Sequence, residues 1–171
     1  MKLHLITSVT RPWNLPVIAK SIAIATEPDC KWEVVWHLRF DLEHEYVGGQ
    51  VPKNKMLDGI EDGWCWILDD DTLMHPDLLK RLDKVLAEQP DTWALVVSQP
   101  RENEDDLTAA EVNARAGYID VGQAVLRRDF IGDHRLADNY EGDGHWLGAL
   151  LPGREGVVYV DEPLSLYNVL R

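Results

Sequence analysis

The sequence is poor in cysteine, in basic residues and in long apolar segments. Its two cysteines, Cys30 and Cys65, are too few for a disulfide framework, and Cys65 lies in an apolar stretch where a small buried thiol is typical. We therefore expect no disulfide and a reducing, cytoplasmic location. No window of about 18 apolar residues exists, and the amino-terminal run is too short and polar for a signal peptide, so we expect no membrane span.

The shortage of basic residues also limits the partners. Lys and Arg number 17 against 30 Asp and Glu, which gives a net charge of -13. Duplex nucleic acid needs clustered cations on the protein, so we expect no nucleic-acid partner. An acidic protein can still bind a nucleotide diphosphate if a metal ion or a few local cations offset the charge. At 171 residues, 45% of them hydrophobic, the chain fits one domain with a sizeable core.

What the sequence does contain is an alternation of strand and helix patterns. Strands are predicted at residues 3–9, 32–40, 64–68, 93–98, 117–126 and 157–160, and helices at 14–25, 53–62, 76–89 and 144–151. Asn14 is the expected N-cap of the first helix, which residues 27–29 should end, and Thr108 to Glu111 has the form of a capping box. Residues 41–52 and 101–106 are expected loops. The order predicts an α/β fold with a mostly parallel sheet, helices on both faces, and antiparallel pairing of the later strands at one edge.

Three consecutive carboxylates, Asp69, Asp70 and Asp71, follow the apolar strand at 64–68 directly. Ligands of open α/β sheets bind outside the carboxyl ends of strands, so this placement predicts a site. Asp69 and Asp71 can point to the same side while Asp70 faces elsewhere, and their oxygens suit Mg²⁺ or Mn²⁺. The alternative is that these acids only favour the start of the next helix through its dipole.

Three segments in order resemble GT-A-fold glycosyltransferases, especially the inverting family 2 group. The middle segment covers residues 53–79. It begins with Lys53-Asn54-Lys55, continues through the strand at 64–68 and the Asp-x-Asp pattern at 69–71, and ends with Pro76-Asp77-Leu78-Leu79. Thr7-Ser8-Val9-Thr10-Arg11-Pro12 is similar to the first βα unit of that family, and Asp161-Glu162-Pro163-Leu164 with Tyr167 is similar to its closing segment. The resemblance as a whole implies a single GT-A-like domain over residues 1–171. Residues 1–100 would form the half that binds the nucleotide sugar, and residues 101–171 the half on the acceptor side.

The resemblance also implies roles for individual residues. Asp71 would bind the metal, Mn²⁺ or Mg²⁺, and Asp69 would contact the ribose, the metal or its water, with Asp70 also on the donor side. Lys53 would approach the nucleotide. The remaining donor-side positions, around the base, are Thr7, Thr10, Arg11 and Asp41.

The catalytic base implied by the resemblance is an acid that opens a late helix. The family has a Glu-Asp pair there, whereas this chain has Glu141-Gly142-Asp143-Gly144. Asp143 aligns best by its distance to the helix, and Glu141 remains a rival. The alternative is a surface turn with acids near a helix N-terminus.

Together these features predict a metal-dependent glycosyltransferase that moves a sugar from a nucleotide-diphosphate donor, most commonly a UDP-sugar in this family, to an acceptor hydroxyl with inversion. Two alternatives remain: a non-catalytic nucleotide-sugar or metal-binding module, and a metal-dependent nucleotidyltransferase, against which the absence of a Gly-rich phosphate loop counts. Because the chain is short for the family, either the acceptor is small or a partner or second copy completes the site, so a homodimer is a further hypothesis.

Overall fold

Strands and helices alternate along the first hundred residues, as the apolar periodicity predicts. The structure, a computed structural model, describes residues 1–26, 30–101, 105–167 and 169–170. Its strands are β1 (Lys2–Val9), β2 (Glu33–Phe40), β3 (Trp64–Ile67), β4 (Leu73–Met74), β5 (Ala94–Ser98), β6 (Ala124–Arg127), β7 (Val157–Pro163) and β8 (Ser165–Leu166). Its α-helices are α1 (Leu15–Ala25), α2 (Gln50–Asp58), α3 (Leu78–Glu88), α4 (Arg128–Ile131) and α5 (Gly142–Leu150).

Six strands form one sheet in the order β2-β1-β3-β6-β5-β7, and β4 pairs with β8 in a separate ribbon. β1 is parallel to both β2 and β3, and β5 is parallel to β7, which confirms the predicted mostly parallel sheet. β6 is antiparallel to β3 and to β5, so the antiparallel pairing lies inside the sheet and the predicted edge position is wrong. The described residues between β5 and β6 contain 3-10 turns and no α-helix, a connection that suits the antiparallel direction of β6.

Helices cover both faces of the sheet, as predicted. Because successive strand residues point to opposite faces, Leu3 and Leu5 pack in one core cluster, which also takes Ile18 of α1 and Leu82 of α3. Ile6 packs in the other cluster, which takes the apolar residues of α2 and α5. None of the helices in the described ranges combines the length and apolar character that a membrane crossing requires.

The amino-terminal end of α2 differs from the sequence prediction. The predicted loop at 41–52 contains a 3-10 turn (Val47–Gly49), and α2 starts at Gln50 and ends at Asp58. Gly49 has a φ of 68°, and a Cβ there would lie 2.4 Å from the side chain of Ser8, so only glycine allows this close approach to β1. The glycine pair therefore starts the helix rather than forming an open loop.

The two predicted helix caps have different outcomes. Asn14 is the N-cap residue of α1, as predicted, but its side chain makes no capping hydrogen bond and donates instead to the carbonyl oxygen of Asp70 at 2.8 Å. The Thr108 segment leads into a 3-10 turn (Glu111–Asn113) without a side-chain cap. A capping box exists elsewhere, between Asp120 and Gln123, where the sequence predicts a strand. The proposed end of α1 at residues 27–29, and residues 102–104 of the predicted loop at 101–106, lie outside the described residues.

Replacement of Leu82 by alanine should lower the free energy of unfolding by about 2–5 kcal/mol, because the fully buried side chain would leave a cavity between α3 and the sheet. Urea denaturation followed by tryptophan fluorescence measures the change. Leu42→Ala is the matched control, since Leu42 is 54% exposed and its loss should leave the denaturation midpoint nearly unchanged. Equal effects of the two substitutions would contradict this packing.

Candidate active site

Two neighbouring cavities open where the carboxyl ends of β1 and β3 meet. The larger, which we name the Asp143 cavity, has a volume of about 390 Å³, and its lining includes Gln50, Lys53, Asp69, Asp120, Tyr140, Glu141 and Asp143. The smaller, which we name the Asp71 cavity, has a volume of about 200 Å³, and its lining includes Ser8, Thr10, Arg11, His44, Tyr46, Asp69, Asp70 and Asp71. Asp69, Gly48 and Tyr167 line both, so the two cavities are adjacent.

Asp70 fastens the loop after β1 to the end of β3. Its carboxylate accepts hydrogen bonds from the backbone N–H groups of Thr10 and Arg11, from the Thr10 hydroxyl at 2.9 Å and from Arg11 Nη1 at 2.9 Å. The residue is only 3% exposed. Most of its hydrogen-bonding capacity is therefore satisfied within the chain, and its first role is to position Arg11 beside the Asp71 cavity.

Asp71 shares the same arginine. Arg11 Nη1 lies 3.1 Å from Asp71 Oδ2, whereas Asp69 pairs with Lys53. The prediction that Asp70 faces away from the other two is therefore wrong: Asp70 and Asp71 both pair with the Arg11 guanidinium, which draws these adjacent carboxylates together. All three nevertheless line the Asp71 cavity.

A divalent cation at this site would need ligands from water and substrate in addition to the protein carboxylates. Among the described residues, no group of three His, Cys, Asp or Glu side chains is arranged to hold a metal ion. Asp69 and Asp71 line the same cavity, and a hard cation held by one or two carboxylates normally completes its shell with water and substrate phosphates. The residues thus fit Mg²⁺ or Mn²⁺ that arrives with a phosphate-bearing ligand.

Lys53 is a buried cation at the boundary of the two cavities. It projects from α2, is 1% exposed, and its Nζ lies 2.7 Å from Asp69 Oδ1. Burial alone lowers the pKa of a lysine, but the nearby Asp69, Asp143 and Asp120 outweigh burial and raise the pKa of Lys53 above its usual value. Lys53 therefore stays charged and offsets the carboxylates around it.

Asp143 enters the larger cavity from the first turn of α5. It accepts a hydrogen bond from Gln50 Nε2 at 2.6 Å. Burial raises the pKa of Asp143, Lys53 lowers it, and Asp69 raises it further, with a net upward shift. Glu141 lines the same cavity but is exposed and lies 3.3 Å from His145 Nε2, one helical turn away. The two candidate bases thus have different environments: the carboxylate of Asp143 is partly desolvated, whereas that of Glu141 is in solvent.

The glycines on either side of Asp143 allow close backbone packing. A Cβ on Gly142 would lie 2.2 Å from the Ala137 carbonyl oxygen, and one on Gly144 would lie 2.3 Å from the Cα of Ala116. The glycine that separates Glu141 from Asp143 is therefore required by packing, and it brings the start of α5 against the neighbouring backbone.

Asp120 is a cavity residue that the sequence analysis missed. It caps the 3-10 turn before β6 by accepting from Gly122 N at 2.7 Å. Because β6 is antiparallel to β3, the residues before β6 lie at the same edge as those after β3. Burial, together with Asp69 and Asp143, raises the pKa of Asp120 to about 7. The capping pattern Asp-x-x-Gln was the available signal, although the segment reads as a strand.

Two predicted donor-side residues do not line either cavity. Thr7 is fully buried, donates to the Leu68 carbonyl oxygen at 2.6 Å and accepts from Trp36 Nε1 at 2.9 Å. Asp41 is 6% exposed; one oxygen accepts from Glu45 N at 3.0 Å, and the other, Oδ2, is buried without a hydrogen-bond partner in the described part of the chain. The remaining predicted residues line one or both cavities: Thr10, Arg11, Lys53, Asp69, Asp70, Asp71, Glu141 and Asp143.

Solved structures similar to this chain include S. aureus TarS and a mannosyltransferase. S. aureus TarS in complex with UDP-GlcNAc matches with a TM-score of 0.71 at 17% identity, over 97% of this chain and 58% of that chain. The mannosyltransferase PcManGT from Pyrobaculum calidifontis, in complex with GDP-Man and Mn²⁺, matches with a TM-score of 0.68 at 20% identity, over 98% of this chain and 56% of that chain.

These similarities define the class of fold. The chain has the GT-A glycosyltransferase fold that the sequence resemblance implies. It spans less than two thirds of the length of either solved chain. No protein-family model matches the sequence, and no curated protein matches it.

Because the pKa of Asp120 is raised in the folded protein, the free energy of unfolding should depend on pH. The pKa of Asp120, about 7 in the folded protein, exceeds the usual 3.8. As the pH rises from about 4 to about 7, the unfolded chain therefore loses this proton first, and Asp120 lowers the free energy of unfolding progressively. Asp120→Asn removes this penalty, so the melting temperature of the variant minus that of the unmodified protein should increase between about pH 4 and about pH 7.

Asp133→Asn is the control, because Asp133 is exposed and lies outside both cavities. Its difference in melting temperature should stay flat over the same range. If the difference for Asp120→Asn is also independent of pH, the pKa of Asp120 in the folded protein is near its usual value and the prediction is contradicted.

Proposed function

We propose that this protein is a glycosyltransferase that moves a sugar from a nucleotide-diphosphate donor to the hydroxyl of an acceptor. The observation that carries the proposal is the pair of adjacent cavities that share Asp69. Arg11 and the metal-suited carboxylate of Asp71 line one cavity, and Lys53 and the partly desolvated carboxylate of Asp143 line the other. The fold of the similar solved proteins supports it, since their structures hold UDP-GlcNAc or GDP-Man.

The Asp71 cavity would take the nucleotide diphosphate, for which we propose a UDP-sugar. The Arg11 guanidinium, fixed by Asp70 and only partly exposed, supplies positive charge for the phosphates, as does Lys53 at the boundary. Asp41 follows β2 directly and its backbone N–H donates to Val9 at the end of β1, but its side chain lies outside the lining of both cavities, so we propose no contact between Asp41 and the base.

Asp71, with Asp69, would hold Mg²⁺ or Mn²⁺ that binds together with the diphosphate. The bound ion would supply Lewis-acid stabilisation of the leaving diphosphate. Arg11 has two tasks in this arrangement: it keeps Asp71 in position and reduces the repulsion between Asp70 and Asp71 before the ligand arrives.

The Asp143 cavity would take the acceptor. As the acceptor oxygen forms a bond to the anomeric carbon, the bond from that carbon to the phosphate oxygen breaks, and the hydroxyl proton passes to the Asp143 carboxylate. Partial desolvation raises the pKa of Asp143, which makes its carboxylate a better proton acceptor. A single base with direct attack inverts the anomeric centre.

Gln50 and Lys53 would position this base rather than react. Gln50 fixes one oxygen of Asp143 through the 2.6 Å hydrogen bond, and the charge of Lys53 opposes the upward shift of the pKa of Asp143. Asp120, in the same cavity, would accept a hydrogen bond from a sugar hydroxyl.

Asp143→Asn should reduce the rate of sugar transfer by about 100-fold or more, because the amide cannot accept the proton that a general base removes. Nucleotide binding should persist, since the Asp71 cavity is unchanged. Release of nucleoside diphosphate from a panel of donors and acceptors measures the transfer, and calorimetry measures the binding.

Glu141→Gln is the matched control, since it neutralises the exposed rival acid two residues earlier. Its transfer rate should stay within a few-fold of the unmodified protein. The opposite order of effects would make Glu141 the base, and binding without turnover in any donor and acceptor pair would favour a non-catalytic nucleotide-sugar module.

Asp71→Asn should remove the part of the thermal stabilisation by UDP or GDP that depends on Mn²⁺. A ligand that binds only the folded protein raises its melting temperature, and the variant would lack one metal ligand. The measurement is the melting temperature with nucleotide, with and without Mn²⁺, relative to each ligand-free protein.

Asp91→Asn serves as the control, because Asp91 is an exposed acid outside the lining of both cavities. It should retain the full Mn²⁺-dependent increment. A nucleotide-dependent shift that is identical with and without Mn²⁺ in the unmodified protein would contradict the metal role and leave the binding to Arg11 and Lys53.

A further inference from the structure

The outer edge of the sheet is formed by β2, whose sequence is self-complementary. In the described residues β2 is the terminal strand, paired only with β1. Glu33 N donates to the Met1 carbonyl oxygen at 2.9 Å and Asp41 N donates to the Val9 carbonyl oxygen at 2.9 Å. Odd-numbered residues of the strand thus face β1, and the backbone N–H and C=O groups of the even-numbered residues point outward.

The outward edge is long and apolar for a terminal strand. Its even-numbered side chains lie on one face, where Val34 and Trp36 pack on the core and Leu38 and Phe40 are 40% and 56% exposed. Exposed edge strands of this kind pair readily with other strands unless charge, proline or a bulge prevents it. β2 contains no proline, and its register with β1 is regular over all eight residues.

We propose that two copies of this chain pair through β2 in an antiparallel, two-fold arrangement centred on Trp36. In this register Trp36 lies opposite Trp36 of the second copy, and Val34 lies opposite Leu38, so outward-pointing residues form the hydrogen-bonded pairs. On the other face, Glu33 lies opposite Arg39 twice, once on each side of the axis.

Charge complementarity selects this register over its neighbours. A shift of one pairing step in one direction places Arg39 opposite Lys31, and a shift in the other direction places Glu33 opposite Asp41. Each alternative sets like charges across the strands, which is destabilising, whereas the Trp36-centred register sets opposite charges there. The charges of β2 therefore favour pairing with a second copy of this chain, and they favour the Trp36-centred register.

The dimer would join the two sheets at the edge distant from β7 and leave both cavities accessible. Glu33 and Arg39 are exposed and line neither cavity, so the proposal is independent of the proposed function. It names a surface for a homodimer, although pairing at this edge leaves the cavities open, whereas the dimer expected from the sequence would complete the site.

The test is a charge-swap experiment with sedimentation velocity from micromolar to near-millimolar concentration. The unmodified chain should show a dimer. Glu33→Lys and Arg39→Glu should each weaken dimerisation by about tenfold or more, because each replaces two attractive pairs by two repulsive ones. An equimolar mixture of the two variants should form a heterodimer. In it the lysine introduced at position 33 faces the glutamate introduced at position 39, and the unchanged Arg39 and Glu33 form the second attractive pair.

Two further variants complete the test. Leu38→Pro removes an outward N–H without breaking a bond to β1, so it should abolish the dimer while circular dichroism stays unchanged. Lys20→Glu, a charge reversal at an exposed position on α1, should leave the dimer intact. A monomeric unmodified chain, a monomeric mixture of the folded charge variants, or a dimer insensitive to both Arg39→Glu and Leu38→Pro would overturn the proposal.

Discussion

The arrangement of the site depends on one buried charge, the ammonium group of Lys53. It lies 2.7 Å from Asp69, the aspartate that both cavities share, and is almost completely removed from solvent. Without it, Asp69, Asp120 and Asp143 would converge as three uncompensated carboxylates in a partly desolvated space, which is strongly unfavourable. With it, the chain can keep two acids with raised pKa values beside each other at neutral pH.

Chain topology explains why these groups meet. Parallel strands β1 and β3 bring Thr10, Arg11 and Asp69 to one edge of the sheet, and the antiparallel β6 brings Asp120 to the same edge from the opposite direction. The start of α5 adds Asp143 because the glycines on either side of it let the helix approach the neighbouring backbone. Under the proposed function, this topology brings the cations that bind the diphosphate close to the carboxylate that accepts the proton.

How much the sequence could predict follows from the range of the interactions. Strand and helix patterns are local, so the parallel core, the carboxylates after β3 and the helix carrying Asp143 were predicted, and the fold is confirmed. The position of β6, the pairing of Arg11 with two aspartates and the burial of Lys53 depend on contacts between distant segments. Asn14 shows why local patterns are not sufficient. An asparagine at the start of a helix suits a capping side chain, but the side chain of Asn14 donates to the distant Asp70 carbonyl oxygen instead. Thr7 likewise has its hydroxyl engaged by groups on other strands, which no local pattern reveals.

The proposed function requires that the Asp71 cavity binds a nucleoside diphosphate while the Asp143 cavity stays open for an acceptor. A crystal structure of the chain grown with UDP or GDP and Mn²⁺ tests this most directly. We expect the phosphates to lie against Arg11 and a metal ion to lie on Asp71, with the Asp143 carboxylate facing unfilled space. A nucleotide bound away from Arg11 and Asp71, or no binding of either nucleotide at saturating concentration, would contradict it.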